Sequence, residues 1–433
     1  PEFKSAGHKV VFIAPEKDEN GLPKTDSLID VFSRVTGLLR SGKAVACYTP
    51  GMGGIAEAVM KMAFGNGIGF EYSKDITLEK IFGLSYAGFI LELANGAEET
   101  GTLLGHTNDS GCISLNGESI ALSKLLGIYE NKLESVYSCN IKNAGKGAEN
   151  FSYETVERKA PAIKVAKPRV LIPAFPGTNC DYDTAKAFRA AGAEVRTSVL
   201  CNIAGDDVLR SIAEMKEHIR RAHIFVLAGG FSAGDEPDGS AKFIVNVLNN
   251  KDIRDEIHAL TDRGGLILGI CNGFQALVKS GLLPYGRLGM VTKESPTLFR
   301  NDVNRHISQI VSTRVATTAS PWLRGFRPGE LHSIAVSHGE GKFVVSEELA
   351  RELFANGQVA FQYADAAGNP TAEAPWNPNG SSYAIEGIIS QNGLILGKMG
   401  HTERYENNLF KNIAGNKQQS LFANAVAYFR KVQ

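Results

Sequence analysis

Apolar positions in the first 126 residues switch between the two periods of secondary structure. Val10 to Ala14 is a short apolar run of strand length. Leu28 to Ser41 places Val31, Val35, Leu38 and Leu39 at helical spacing, and Ala44 to Tyr48 returns to a strand. Thr49-Pro50-Gly51-Met52-Gly53-Gly54 then opens an apolar helix from Ile55 to Phe64. Ala87 to Leu93 predicts another strand, and Gly101 to Ile120 a hairpin turning at Asn116-Gly117. The mixture is that of an α+β domain over residues 1–139. Residues 140–167 lose the periodicity and gather Lys, Glu, Gly, Ala and Pro, so they read as an exposed connection.

From Arg169 the pattern changes to strict alternation. Val170 to Ala174 is an apolar strand, Thr184 to Ala191 a helix closed by Gly192, and Glu194 to Val199 a second strand. A helix over Asp207 to Arg221 and an apolar strand from Ile224 to Ala228 continue it. Short, almost wholly apolar strands alternating with helices predict an α/β domain over 168–433, a doubly wound parallel sheet with helices on both faces. In such folds sites gather beyond the carboxyl ends of the strands. At 433 residues the chain is too long for one ordinary core. No repeat of fixed period is visible.

Charge narrows the partners. Lys and Arg total 46, as do Asp and Glu, so no global field draws nucleic acid or an anionic membrane. Six cysteines, Cys47, Cys112, Cys139, Cys180, Cys201 and Cys271, lack paired C-x-x-C spacing, which argues against a zinc site and a disulfide framework and for a reducing compartment. No apolar stretch approaches the roughly 20 residues of a membrane helix, and the amino terminus lacks a basic segment followed by an apolar one. A cytoplasmic protein without metal is expected. Pro1 is not an initiator methionine, and the chain reads as a piece of something longer.

Chemistry concentrates in Gly265-Leu266-Ile267-Leu268-Gly269-Ile270-Cys271-Asn272-Gly273-Phe274-Gln275, where an apolar strand enters a G-x-C-x-G turn and leaves as a helix. That is the pattern of a nucleophile elbow carrying sulfur. A helix amino terminus just beyond the thiol favours the thiolate, although a buried cysteine is often only a small hydrophobe. Near the end of the chain, apolar Gly393 to Leu396 leads into Gly397-Lys398-Met399-Gly400-His401-Thr402-Glu403-Arg404. His401 can take the thiol proton and return it to a leaving amine, and Glu403 can orient the imidazole. A surface histidine beside an ordinary acid is the plainer reading. A third strand ends in Gly229-Gly230-Phe231-Ser232-Ala233-Gly234-Asp235, either a simple glycine turn or a source of backbone donors. Gly230 and Asn272 could supply the two N–H groups of an oxyanion hole.

These three segments, in this order, resemble the class I triad glutamine amidotransferases. Phe175-Pro176-Gly177-Thr178-Asn179-Cys180-Asp181, the Gly229 to Asp235 segment and Gly400-His401-Thr402-Glu403-Arg404 look like the phosphoribosylformylglycinamidine synthase family. The resemblance implies a flavodoxin-like sheet, with Cys271, His401 and Glu403 as the triad. It implies contacts to glutamine from Gln275, Ser337 and His338, the last two within Val336-Ser337-His338-Gly339-Glu340-Gly341. His338 reads equally as a loop histidine, and Cys180 as a plain loop thiol. Pro1-Glu2-Phe3-Lys4, Gly51 to Ala58 and Gly105 to Gly117 look like the carboxy-terminal half of an aminoimidazole ribonucleotide synthetase-like repeat. Relatives often carry an acid before the paired glycines, where this chain has Thr49-Pro50.

The resemblance thus implies a glutaminase needing no cofactor of its own. It would serve a ligase whose other synthetase domains use ATP and Mg to amidate formylglycinamide ribonucleotide in purine biosynthesis. A non-catalytic assembly module, or another cysteine hydrolase on the same scaffold, is the alternative. Gly51 to Gly54 could hold phosphate or merely form a turn.

Overall fold

The computed structural model describes residues 1–98, 101–138, 148–154, 161, 163–233 and 239–430. The chain divides into two compact units, Pro1–Ser138 and Cys139–Gln433. Among the described residues, no helix is long and apolar enough to cross a membrane.

In the first unit the described strands form one sheet in the order Ala44–Tyr48, Phe89–Leu93, Lys9–Ile13, Thr102–Asn108, Gly69–Tyr72, Cys112–Leu115, Glu118–Ala121. Every pairing is antiparallel except that of Gly69–Tyr72 with Cys112–Leu115. Because successive side chains point to opposite faces, Val10 packs with Ile55, Val59, Met62 and Phe70 on one side. Val11 packs on the other with Val31, Val35 and Leu38 of the helix Thr25–Arg40.

The expected hairpin is narrower than 101–120. Only Cys112–Leu115 and Glu118–Ala121 pair across Asn116-Gly117, where both turn residues have positive φ, 52° and 89°. Thr102–Asn108 instead pairs with Lys9–Ile13 and Gly69–Tyr72, because central strands of a sheet find partners far away in sequence.

Among the described residues of the second unit, nine strands form one sheet. Five parallel strands lie in the order Glu194–Val199, Arg169–Ala174, Ile224–Leu227, Leu266–Ile270, Ile395–Lys398. In chain order this is second, first, third, fourth, fifth, the flavodoxin-like arrangement. Four antiparallel strands, Ile385–Ile389, Val359–Tyr363, Ile307–Val315 and Leu331–His338, extend it beyond Ile395–Lys398.

Helices cover the parallel part. Asp207–Arg221 buries Ser211, Met215 and Ile219, a stripe at spacing four, and turns its charged face outward. Strands Ile224–Leu227 and Leu266–Ile270 are buried at every position, as a sheet covered on both faces requires. Among the described part of 140–167, the stretch expected to be exposed is partly pinned. Tyr153 exchanges backbone bonds with Ala316 and Thr318, and Arg314 donates to Phe151 O and Ser152 Oγ.

Trp322 is fully buried, donates Nε1–H to Leu394 O at 3.1 Å, and meets Phe188 edge-on at 6.5 Å between centroids. Trp322→Ala is expected to destabilise the second unit by about 3–5 kcal/mol, chiefly through the cavity left. Urea unfolding followed by circular dichroism reads this directly, and a loss below about 1 kcal/mol would show that the site collapses around the gap.

Candidate active site

The parallel strands deliver the site at their carboxyl ends. Leu266–Ile270 ends at Cys271, which adopts φ 53°, ψ −107° before the helix Asn272–Lys279 begins. This is a sparsely populated conformation for a residue with a Cβ, and it turns the thiol out of the strand–helix junction. The turn is possible because its neighbours lack side chains. A Cβ on Gly273 would run into the carbonyl of Leu227, and one on Gly269 would lie 2.6 Å from Gly273 O. The Cys271 N–H donates to Lys398 O at 2.9 Å, tying the elbow to the strand that leads to His401.

His401 is 4% exposed and Glu403 5%. Glu403 Oε1 lies 2.7 Å from His401 Nδ1. A carboxylate only accepts, so Nδ1 carries the proton and Nε2 is left to face the thiol. Nε2 is buried and, among the described residues, has no hydrogen-bond partner at ordinary distance. Burial by itself lowers the pKa of the imidazole. The charges of Glu403 and the Cys271 sulfur outweigh it, aided by Cys180, and His401 stands well above its ordinary value. The Gly400 N–H to Glu386 Oε1 bond, 2.6 Å, and the His401 N–H to Ala335 O bond, 2.8 Å, fix the backbone that presents the ring.

A cavity of about 10 Å³, room for about one water, is lined by Gly230, Phe231, Ser240, Cys271, Gln275, His338, Gly339 and Glu340. Gly230 has φ 150° and packs against Gly177 O and Thr178. Asn272 is buried behind the wall, its Oδ1 accepting from Ser232 N–H at 3.3 Å and its Nδ2 donating to Gln275 Oε1 at 2.9 Å. Gln275 in turn donates to Glu340 O at 2.6 Å. Ser337 presents its carbonyl, 3.5 Å from Cys271 Sγ, while its hydroxyl bonds His306 Nε2. Gly234 and Asp235 of the glycine segment lie outside the described residues.

His338 is buried rather than a loop histidine, at the end of strand Leu331–His338. Asn301 Nδ2 donates to two carbonyls, of Arg305 and His338, so its Oδ1 is the acceptor. His338 Nδ1, 3.1 Å from that oxygen, is therefore the donor, and buried Nε2 is a bare acceptor. Burial, reinforced by the charges of His401 and His306, pushes His338 down to about 3. Sequence reasoning quoted Glu340 without assigning it. Its carboxylate takes the Ser240 N–H at 2.9 Å and lies 3.5 Å from Lys279 Nζ. Burial would raise its pKa, but those partners hold it below the ordinary value.

Cys180 is not a plain loop thiol. It is fully buried at the start of helix Asp181–Ala190, and its sulfur lies 3.8 Å from His401 Nδ1. Its position just past the first parallel strand was the available signal. Among the described residues, Cys180, His401 and Glu403 place their ligand-type atoms within 4.8 Å of one another, a spacing that could hold a metal. However, Arg404 Nη2 donates to Cys180 Sγ at 3.1 Å, and a guanidinium on the sulfur opposes a cation there. In the first unit, Gly51 to Gly54 does not fit a phosphate. Glu57 Oε2 already accepts the Gly53 N–H at 2.8 Å, and the Gly54 N–H is used by Gly51 O.

Residues 167–429 match the family model of the CobB/CobQ-like glutamine amidotransferase domain. The chain is 33% identical over 289 residues to the phosphoribosylformylglycinamidine synthase subunit PurQ of Methanococcus maripaludis, covering 62% of this chain and 100% of that one. It is 35% identical over 260 residues to the PurQ subunit of Chlorobaculum tepidum, covering 60% and 98%. Among solved structures, PurLQS from Thermotoga maritima aligns with a TM-score of 0.44 at 26% identity, covering 61% of this chain and 100% of that one.

The neutral His338 carries a pH signature. The unfolded chain takes up its proton near 6.5 and the folded chain only near 3. The stability it contributes is whole above 6.5 and lost as pH falls toward 3. In His338→Gln, urea unfolding between pH 7 and 5 should show a shallower loss of stability, by at most about 1.4 kcal/mol per pH unit. Parallel slopes would mean that the histidine charges without penalty.

Proposed function

Because the chain belongs, through residues 167–429, to the CobB/CobQ-like glutamine amidotransferase family, we propose that Cys271, His401 and Glu403 hydrolyse the side-chain amide of glutamine. The observation that carries this reading is the strained elbow of Cys271 beside an imidazole whose Nδ1 is engaged by Glu403.

His401 Nε2 takes the thiol proton, and the thiolate attacks the amide carbon. The oxyanion that forms is met by the backbone N–H groups of Gly230 and Asn272. The imidazolium returns its proton to nitrogen as the C–N bond breaks, releasing ammonia and leaving a thioester. Water, deprotonated by His401, adds to the thioester, the C–S bond breaks, and glutamate leaves with the thiol restored. The raised pKa of His401 favours the ion pair that begins this cycle. Glu340, Gln275, the Ser337 carbonyl and the acceptor Nε2 of His338 supply polar groups around the thiol, in a cavity of about 10 Å³ that must widen to admit glutamine.

The curated relatives are named as subunits of phosphoribosylformylglycinamidine synthase. Ammonia would therefore pass to a synthetase site that amidates formylglycinamide ribonucleotide, making the whole assembly a glutamine-dependent ligase. ATP and Mg would belong to that site and not to the second unit.

Glutamate release by this chain, supplied with its synthetase partners, should disappear in Cys271→Ala. A glutamine-analogue alkylator should label Cys271 alone among the cysteines, read by peptide mass mapping. Glu403→Gln should lower kcat by roughly 100- to 10,000-fold, since an amide no longer stabilises the imidazolium. Glutamate release that persists in Cys271→Ala would remove the thiol from the reaction, and a folded protein with neither release nor labelling would leave a non-catalytic assembly module.

A further inference from the structure

We infer that Cys180, fixed by Arg404 and Asn179, is a positioning residue that clamps the Nδ1 side of His401 against Glu403 and so keeps Nε2 directed at Cys271. The inference rests on the glutaminase reading above for its consequence in turnover, but its geometry stands independently.

The sulfur is held from two sides. Its S–H donates to Asn179 Oδ1 at 3.1 Å, and Arg404 Nη2 donates to it at 3.1 Å. With the proton directed to Asn179 and one lone pair taken by the guanidinium, the remaining polarisable face of the sulfur is turned toward His401 Nδ1, 3.8 Å away. The Cys180 N–H is itself anchored to Gly229 O at 3.2 Å, and Gly229 closes the clamp. A Cβ there would lie 2.9 Å from His401 Cε1 and 3.0 Å from Cys180 Sγ. The imidazole is thus confined by Glu403, Cys180 and the bare backbone of Gly229. Nδ1–H donates chiefly to Glu403 and has the sulfur as a second, softer acceptor.

The electrostatic surroundings agree. Cys180 adds to the influences that raise the His401 pKa, alongside Glu403 and Cys271. The charged and titratable groups facing the ring come from every element around it. Cys271 sits on the elbow. Arg404 follows on the same turn, with Asp183 of the neighbouring helix acting on it. His338 lies on the last antiparallel strand, and buried Lys398, beside Glu386, acts on Glu403. Of these, Cys180 alone touches Nδ1 without carrying the formal charge of a carboxylate, so it tunes the ring while Glu403 supplies the ion pair.

Substitution by valine keeps the volume and removes the acceptor, whereas serine keeps an acceptor on a shorter bond. Rates of Cys271 alkylation by iodoacetamide, mapped by mass spectrometry across pH 5–10, report the imidazole whether or not the chain turns over glutamine. In Cys180→Val the rise of that rate should move to higher pH by about one unit. The basic limb of kcat/KM for glutaminase should move to lower pH, with kcat reduced on the order of tenfold and KM for glutamine little changed. Cys180→Ser should recover part of both. Unaltered pH profiles in folded Cys180→Val would overturn the inference and reduce Cys180 to packing, as would a loss confined to KM. If wild-type chain releases no glutamate while the alkylation profile still shifts in the variant, the clamp stands and the glutaminase reading falls.

Discussion

The site depends on one backbone conformation. Cys271 at φ 53°, ψ −107° costs of order 1–3 kcal/mol, and the surroundings over-determine it. Its N–H is tied to Lys398 O and its carbonyl accepts from Gln275 N–H at 3.0 Å, so the residue is bound to the neighbouring strand and to the helix that follows. Gly273 lets the helix approach so near the strand Ile224–Leu227 that no side chain fits between them. Because the same ladder holds Leu266–Ile270 between Ile224–Leu227 and Ile395–Lys398, the elbow is flanked by the glycine turn on one side and by His401 on the other. The order of strands, and not any single loop, sets the distances in the site.

Beneath the His401 turn lies a buried ion. Lys398 has no exposed surface, and its ammonium donates to Thr402 Oγ1 and Gln419 Oε1, each at 2.8 Å, with Glu386 Oε1 at 3.8 Å and the Phe361 ring 5.0 Å from its centroid. Burial pulls its pKa below the ordinary value, opposed by Glu386 and Glu403. A lysine placed there would be costly without these partners. With them, it joins the strand end to the turn that carries His401 and Glu403, while Glu386 holds the Gly400 N–H from the adjacent antiparallel strand. The antiparallel extension of the sheet is therefore part of the site's support.

Much of the parallel half was readable, because apolar strands, a glycine-flanked cysteine and a strand ending in His401 each leave a local pattern. Helix Asp181–Ala190 starts at Asp181, three residues before the apolar stripe suggested, since acids at Asp181 and Asp183 suit the first turn without looking like core. The antiparallel strands escaped notice. Strand Ile307–Val315 runs Ile-Ser-Gln-Ile-Val-Ser-Thr-Arg-Val, without the period-two alternation that marks a strand, and its partner Leu331–His338 lies beyond an intervening turn, so pairing could be seen only in space. Cys180 was misread for the same reason: neither Arg404 nor His401 is near it in sequence.

The two histidines around Cys271 show how the fold sets opposite chemistry with one residue type. His401 has a carboxylate at 2.7 Å and is held toward the charged form; His338 has the neutral carbonyl oxygen of Asn301 at 3.1 Å and is held neutral. Both rings donate from Nδ1, so the partner there separates them, with Cys271 and Cys180 adding to the rise of His401 and burial and the neighbouring histidines adding to the fall of His338. Each also bears on the other, for the charge on His401 helps to keep His338 unprotonated. A charged imidazole beside the thiol and an uncharged acceptor in the small cavity can then coexist. A second cation in that space would repel the one on His401, and Asn301, by supplying an amide where an acid would invite protonation, prevents it.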